Sequence, residues 1–178
     1  MIETKLINLY AGPSSGKTTT AAGLFHWMKD KRLNVELAPE FAKDLVWDKS
    51  FPTLDDQIFI FGEQHRRIYR LKNQVDYIIT DSPLLFSLVY GEEGLKKYTN
   101  NEWKEDFRNF VVKTHHQYDN YNYFVERGDR KYIREGRLQD LEGAKKKDKQ
   151  ILKMLDENNI QYNSIKTYKE ILADLNLE

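Results

Sequence analysis

One segment of the chain carries the strongest structural signal: residues 6–18, which read LINLYAGPSSGKT. Its first half is an apolar run from Leu6 to Ala11, as expected for a buried strand. Its second half fits the pattern A-x-x-x-x-G-K-T, and a helical pattern from Lys17 to Asp30 follows directly. A strand, a glycine-containing turn and a helix in this order are the context that a phosphate-binding loop requires.

The chemistry of this loop follows from its backbone and a few side chains. Its N–H groups can surround an anion, and the start of the helix adds its dipole. We expect Lys17 to neutralise the β- and γ-phosphates and Thr18 to place its hydroxyl on Mg²⁺, so the sequence predicts binding of ATP with Mg²⁺. The predicted nucleotide-binding residues here are Gly12, Pro13, Ser14, Ser15, Gly16, Lys17, Thr18 and Thr19.

Further strand candidates alternate with helical patterns along the rest of the chain. They are the runs Val35 to Ala38, Tyr77 to Thr80, Tyr123 to Glu126 and Gln161 to Ile165. Because long helical patterns separate these short runs, they predict βαβ crossovers and a parallel sheet. The 178 residues suit a single domain, 1–178, since they contain no linker, repeat or low-complexity tract.

Helix start signals precede three of the helical patterns: Thr53 with Asp56, Thr99 with Glu102, and Thr167 with Glu170. The pair of Thr53 and Asp56 predicts the start of a helix that continues to about Lys72. One face of that helix contains Gln57, Ile60, Phe61, Gln64, Ile68 and Leu71. Its two glutamines are candidates to read a base edge of an acceptor, or else they are polar interruptions of a partly exposed helix.

The composition excludes several kinds of site and partner. Lys and Arg number 28, as do Asp and Glu, so no overall positive charge favours nucleic acid or a membrane surface. The chain has no cysteine and hence no disulfide, thiolate zinc site or cysteine nucleophile. Early charges interrupt any signal peptide, and no apolar stretch approaches the roughly 20 residues of a membrane helix. We therefore expect a cytoplasmic protein without a membrane partner.

Two carboxylates follow predicted strands at the edge of the sheet where ligands bind. Glu40 comes after the second strand, and Asp81 comes directly after the third. Phosphoryl transfer needs one carboxylate to hold Mg²⁺ and another to accept the proton of the attacking hydroxyl. We assign Asp81, with Thr18, to the metal and Glu40 to the base. Either carboxylate could instead cap the helix that follows it.

An arginine-rich segment lies between the fourth strand and the next helix, and it contains Arg127, Arg130, Arg134 and Arg137. Guanidinium groups stabilise charge on a transferring phosphoryl group, so residues 127–140 are predicted to form a lid over the triphosphate. We assign Arg134 and Arg137 to catalysis, and Arg127 and Arg130 to nucleotide binding. The alternative is a solvated charged loop.

Three segments outside the phosphate loop resemble known kinases. Residues 39–43, PEFAK, resemble the segment that carries the general base in deoxynucleoside kinases. Asp81-Ser82-Pro83 lies where those kinases have an acid-Arg-Ser motif, and residues 134–137 resemble their arginine lid. The order of motifs is also similar to the nicotinamide riboside kinase-like P-loop group, which includes many small phage-encoded ATPases. Ser82 replaces the arginine of the motif, so the substrate cannot be carried over.

The resemblance implies an α/β fold of the P-loop kinase type: a three-layer sandwich whose five-stranded parallel sheet has the order 2-3-1-4-5. It also implies an ATP- and Mg²⁺-dependent kinase that phosphorylates a nucleoside- or nucleotide-like small molecule. The predicted acceptor-side residues are Glu40, Phe41, Gln57, Gln64 and Arg67.

Two other functions stay open. The acceptor could be a polynucleotide or a modified, hydroxymethylated base within DNA, bound in a groove formed by Arg66, Arg67 and lysines of the tract 145–149. That tract is otherwise interpreted as a solvated helix face. The chain could also be a non-catalytic or regulatory ATPase, although a pure switch has less need of both Glu40 and an arginine lid.

Overall fold

A five-stranded parallel sheet forms the centre of the protein. The structure, a computed structural model, describes residues 3–128 and 140–177. The strands are β1 (Lys5–Tyr10), β2 (Val35–Leu37), β3 (Tyr77–Thr80), β4 (Asp119–Val125) and β5 (Asn163–Ile165). Their spatial order is β2-β3-β1-β4-β5, which confirms the predicted α/β fold and strand order.

Helices flank this sheet along the described part of the chain. They are α1 (Lys17–Asp30), α2 (Phe41–Trp47), α3 (Phe51–Leu54), α4 (Gln57–Tyr69), α5 (Ser87–Tyr90), α6 (Glu92–Leu95), α7 (Asn101–His115), α8 (Leu141–Glu157) and α9 (Tyr168–Asp174), with a 3₁₀ turn at Leu84–Phe86. None of the described helices combines the length and apolar character needed to cross a membrane.

The fourth strand begins earlier than predicted, at Asp119 instead of Tyr123. Two asparagines hide its start from a search for apolar runs, and both lie against the buried Asn8 of β1. The Nδ2 group of Asn8 donates to Oδ1 of Asn120 at 2.9 Å and to Oδ1 of Asn122 at 3.1 Å. These bonds satisfy Oδ1 of both β4 asparagines, so the two polar side chains do not prevent the strand from forming.

Two predicted helix starts are wrong by a few residues. The carboxylate of Asp56 accepts from the N–H of Phe59 at 3.1 Å, so Asp56 is itself the N-cap of α4, and a separate helix, α3, contains Thr53. Similarly, Asn100 caps α7 by accepting from the N–H of Trp103 at 3.0 Å. Asp and Asn are better N-caps than the threonines before them. The capping box of Thr167 and Glu170 is confirmed.

The central position of β1 fixes the phosphate loop. β1 pairs with β3 on one side and with β4 on the other, and its residues from Leu6 to Tyr10 are fully buried. The chain therefore enters the loop from the buried centre of the sheet, between the carboxyl ends of both neighbouring strands.

Candidate active site

The loop between β1 and α1 has the backbone of an anion-binding turn. Ser14 and Gly16 adopt positive φ angles of 60° and 108°, which fold the chain back before α1 begins. Gly16 is the N-cap of α1, and within the described chain no side chain caps this helix start. The first-turn N–H groups therefore remain for an anion. Among the described residues, Oγ of Ser15 is also buried without a hydrogen-bond partner, which suits a phosphate oxygen.

The ammonium group of Lys17 lies folded over this loop. It donates to the carbonyl of Gly12 at 3.1 Å and lies 5.7 Å from the centre of the Phe86 ring. The side chain is half-buried, so the charge is already partly removed from water. A preoriented ammonium of this kind stabilises phosphate charge without a large change in solvation.

Charges from several elements meet at Lys17. Burial lowers the pKa of Lys17 below its ordinary value, and the nearby guanidinium of Arg127 acts in the same direction. Three carboxylates oppose this shift: those of Glu40, Asp81 and Asp148. The structure therefore brings the two predicted acidic residues, from the ends of β2 and β3, to the same ammonium group.

The metal-site candidates Thr18 and Asp81 are in direct contact. Oγ1 of Thr18 donates to Oδ2 of Asp81 at 2.5 Å, and Asp81 is buried. A hydroxyl and a carboxylate are the oxygen ligands that Mg²⁺ prefers. Among the described residues, no group of three or more His, Cys, Asp or Glu side chains could by itself hold a metal ion. Thr18 and Asp81 fit Mg²⁺.

The ends of β2 and β3 are joined by Thr80. Its Oγ1 donates to the carbonyl of Ala38 at 2.8 Å and accepts from the N–H of Ser82 at 3.1 Å. These bonds hold Glu40 and Asp81 in fixed relation to each other. Glu40 occupies the N-cap position of α2, but its side chain makes no capping bond in the structure as described, so the capping alternative is wrong for this residue.

A cavity of about 320 Å³ lies beside the loop. Its polar lining includes Glu40, Lys43, Gln57 and Gln64, together with Ser14 and Gly16 to Thr19 of the loop. Its apolar lining includes Val46, Leu54, Ile60, Leu84, Phe86 and Tyr90. The cavity thus has a charged end at the phosphate loop and a long apolar wall, which is typical of small-molecule sites.

The two glutamines of α4 face this cavity and are held by the protein. Nε2 of Gln57 donates to the carbonyl of Leu54 at 2.8 Å. Oε1 of Gln64 accepts from the N–H of Phe41 at 3.0 Å, and Nε2 of Gln64 donates to Oγ1 of Thr80 at 3.4 Å. Gln64 therefore joins α4 to the strand ends that carry Glu40 and Asp81.

Phe41 and Arg67, also predicted on the acceptor side, lie outside the cavity lining. The Arg67 guanidinium lies 5.2 Å from the centre of the Phe41 ring and forms an ion pair of 2.7 Å with Asp44. These contacts fix the outer face of α2 against α4.

Arg127 packs against the phosphate loop. Its Nη1 donates to the carbonyl of Pro13 at 2.8 Å, and its Nε donates to Oδ2 of Asp148 at 2.9 Å. The other predicted lid arginines, Arg130, Arg134 and Arg137, lie outside the described residues. The lid was predicted to reach residue 140, but Asp140 is the N-cap of α8 and accepts from the N–H of Gly143 at 2.8 Å.

Sequence reasoning missed the part that α8 plays in the site. The tract 145–149 was interpreted as a solvated face, which is wrong for Lys147: its Nζ donates to the carbonyl of Val89 at 3.1 Å and lies 4.9 Å from the centre of the Tyr90 ring. Asp148 also faces the site. The only signal in the sequence was a single acidic residue inside a run of lysines.

Comparisons with known proteins agree with the fold. Residues 6–170 match the model of a family described as AAA domain. Solved structures with the same fold include a NadR protein in complex with NR, with 16% identity, a TM-score of 0.65, and coverage of 97% of this chain and 50% of that one. They also include thymidylate kinase from Ehrlichia chaffeensis, with 14% identity, a TM-score of 0.64, and coverage of 98% and 99%.

The chain thus spans half the length of the NadR chain, and at these identities the likeness shows the fold. No curated protein has a matching sequence.

Proposed function

We propose that this chain, which belongs to the AAA domain family, is an ATP- and Mg²⁺-dependent phosphotransferase. It moves the terminal phosphate of ATP to a nucleoside- or nucleotide-like small molecule. One observation carries the proposal: the phosphate loop and Glu40 line the same cavity, and Asp81 is bonded to Thr18 of that loop. A regulatory ATPase has less need of a carboxylate such as Glu40 in the cavity that its phosphate loop lines.

On the nucleotide side, the N–H groups at the start of α1 bind the phosphates and Lys17 neutralises their charge. Thr18 and Asp81 hold Mg²⁺, which when bound supplies positive charge to the phosphate oxygens. The buried hydroxyl of Ser15 provides a further donor. Arg127 supports the loop through Pro13.

On the acceptor side, Glu40 orients the attacking hydroxyl and accepts its proton. The apolar wall, which includes Phe86 and Tyr90, packs against a planar base or similar ring. Lys43 also lines the cavity, is half-buried, and has no ion-pair partner among the described residues. It is the group best suited to an anionic substituent of the acceptor. The cavity volume lies near the lower end of the roughly 300–1,000 Å³ of small-ligand sites.

The geometry gives less support to a DNA acceptor. In the proposed basic groove, Arg67 is paired with Asp44, and Lys147 is bonded to the carbonyl of Val89. A cavity of about 320 Å³ suits a small molecule better than a polynucleotide.

Transfer of the terminal phosphate of labelled ATP to separate panels of nucleosides, nucleoside monophosphates and DNA tests this proposal. We expect a labelled small-molecule product whose formation requires Mg²⁺ and is lost in Glu40→Gln. ATP hydrolysis alone, unaffected by any acceptor or by Glu40→Gln, would favour the regulatory ATPase. Label in DNA would favour the second alternative.

A further inference from the structure

Asp148 of α8 joins three elements at the first turn of the phosphate loop. Its Oδ1 accepts from the N–H of Gly12 at 2.6 Å, and its Oδ2 accepts from Nε of Arg127 at 2.9 Å. Arg127, which follows β4, closes the arrangement by donating from Nη1 to the carbonyl of Pro13 at 2.8 Å. Two consecutive loop residues are thus fixed from one side, one through its N–H and the next through its carbonyl.

We propose that Asp148 is a positioning residue for nucleotide binding, which acts through Gly12 and Arg127 to hold the phosphate loop in its anion-binding shape. The proposal rests on the proposed function for the identity of the nucleotide. Asp148 does not touch the phosphates in this role; the N–H group of Gly12 is occupied by its carboxylate, which leaves the N–H groups at the start of α1 for the ligand.

The ion pair of Asp148 and Arg127 is largely buried, in contrast to a solvent-exposed ion pair. The side chains of Asp148 and Arg127 are each only 16% exposed. Among the described residues, Nη2 of Arg127 is buried without a partner, so its guanidinium packs on the loop instead of facing water. At exposures this low, removal of one partner leaves a charge that water does not fully screen.

The charge of Asp148 would by itself oppose phosphate binding. Its carboxylate is close enough to raise the pKa of Lys17, which is expected to bind the same phosphates. The guanidinium of Arg127 cancels this negative charge where the triphosphate is expected to bind. The two side chains should therefore show an unusual coupling: loss of Arg127 alone harms ATP binding more than loss of both.

Calorimetry of Mg²⁺–ATP binding by four variants tests this coupling, and the measurement does not need the acceptor. We expect about tenfold weaker binding for Asp148→Ala, since bonds to a charged group are removed. Asp148→Asn should lose less affinity, because its amide oxygen can still accept from the N–H of Gly12. Arg127→Ala should lose the most affinity for Mg²⁺–ATP. The double variant that combines Arg127→Ala with Asp148→Asn should recover part of that lost affinity.

Glu142→Gln is the matched control, since it neutralises an exposed carboxylate on the same helix, which pairs with Lys145 at the surface. Thermal melts show which variants are folded, and amide exchange at Gly12 should be faster in Asp148→Ala than in the parent. Parent-like ATP affinity in a folded Asp148→Ala, or simple additivity of the Arg127 and Asp148 losses, would overturn the proposal. A parent protein that binds no ATP would contradict the proposed function as well.

Discussion

The hydroxyl of Thr18 and the carboxylate of Asp81 share a hydrogen bond of 2.5 Å, although 63 residues separate them in the chain. The neighbouring positions of β1 and β3 bring them together, since Asn8 pairs with Thr80 in the sheet. The contact joins the start of the first helix to the end of the third strand. Both groups offer oxygen atoms to a cation at the same point.

Asp81→Asn should weaken the response to Mg²⁺ by about 10- to 100-fold, because the amide keeps the shape of the carboxylate and loses its charge. Phosphate transfer measured against Mg²⁺ concentration reports this shift. Asp76→Asn is the control, since Asp76 is exposed and lies just before the opposite end of β3. An unchanged Mg²⁺ requirement in Asp81→Asn would contradict the metal assignment.

Lys17→Ala should reduce transfer by about 10²–10³-fold, as expected when one preoriented group is removed from the developing charge. The fold should survive, because the half-buried ammonium donates to a loop carbonyl. Transfer assays with circular-dichroism melts measure both effects. Lys146→Ala, which removes an exposed lysine of α8, should behave like the parent protein. Near-normal turnover in folded Lys17→Ala would remove Lys17 from the mechanism.

Glu40→Gln should lower the transfer rate by about 10²–10⁴-fold, the usual contribution of a general base, or by less if the transition state is loose. ATP affinity should change little, because Glu40 belongs to the acceptor side of the cavity. Calorimetry and a rate assay separate the two quantities, with Glu36→Gln at the surface of β2 as control. Equal losses of binding and of rate would instead assign Glu40 to the metal site.

Gly12→Ala should destabilise the protein by about 1–3 kcal/mol, the typical cost of overpacking. A Cβ at Gly12 would lie 2.5 Å from the carbonyl oxygen of Ala144 and 2.8 Å from Oδ1 of Asp148. A Cβ added at Gly62 of α4 would meet no atom within 4 Å in the described structure beyond its own helix backbone and chain neighbours, so Gly62→Ala should stabilise by about 0.5–1 kcal/mol. Urea unfolding measures both. Equal effects of the two substitutions would contradict the close packing of α8 on the loop.

The protein should lose stability as the pH falls from about 6.5 towards 4 because of His115. Burial, with a smaller effect from His116, lowers the pKa of His115 to about 4 from its ordinary 6.5. Between these values the unfolded chain binds a proton that the folded chain does not, so acid favours unfolding. The full loss below pH 4 is about 3 kcal/mol.

Unfolding free energies at pH 7 and 4.5 test this, with His115→Gln compared against the parent. The pH difference should shrink in His115→Gln and persist in His116→Gln, because burial is the main cause of the shift. An unchanged pH difference in His115→Gln would show that other groups carry the acid sensitivity.

Local patterns were sufficient to predict a parallel sheet and the phosphate loop, whereas the strand order came from the resemblance to known kinases. The strand β1, the loop and α1 follow one another within a short stretch, so periodicity and motif spacing coincide there. The start of β4 was missed because Asn120 and Asn122 are satisfied by Asn8, a partner more than a hundred residues away in the chain. Strand prediction from apolar runs cannot detect such long-range pairing.

At the site, too, the residue that the sequence did not predict was missed because its contacts are long-range. Glu40 and Asp81 could be proposed because each lies shortly after the end of a strand, and topology fixes where strands end. Asp148 lies on a helix face that only tertiary packing orients towards Gly12. From the sequence alone, an acidic residue within a tract of lysines cannot be distinguished from a solvated surface residue.

The short outer strands of the sheet affect how the protein can associate. Each outer strand, β2 and β5, has only three residues, and Glu36 on β2 is paired with Lys29. Each outer edge therefore exposes few backbone groups to which another chain could add a strand, and one edge also carries charge. Fibrillar aggregation through these edges is therefore disfavoured as long as the sheet stays folded.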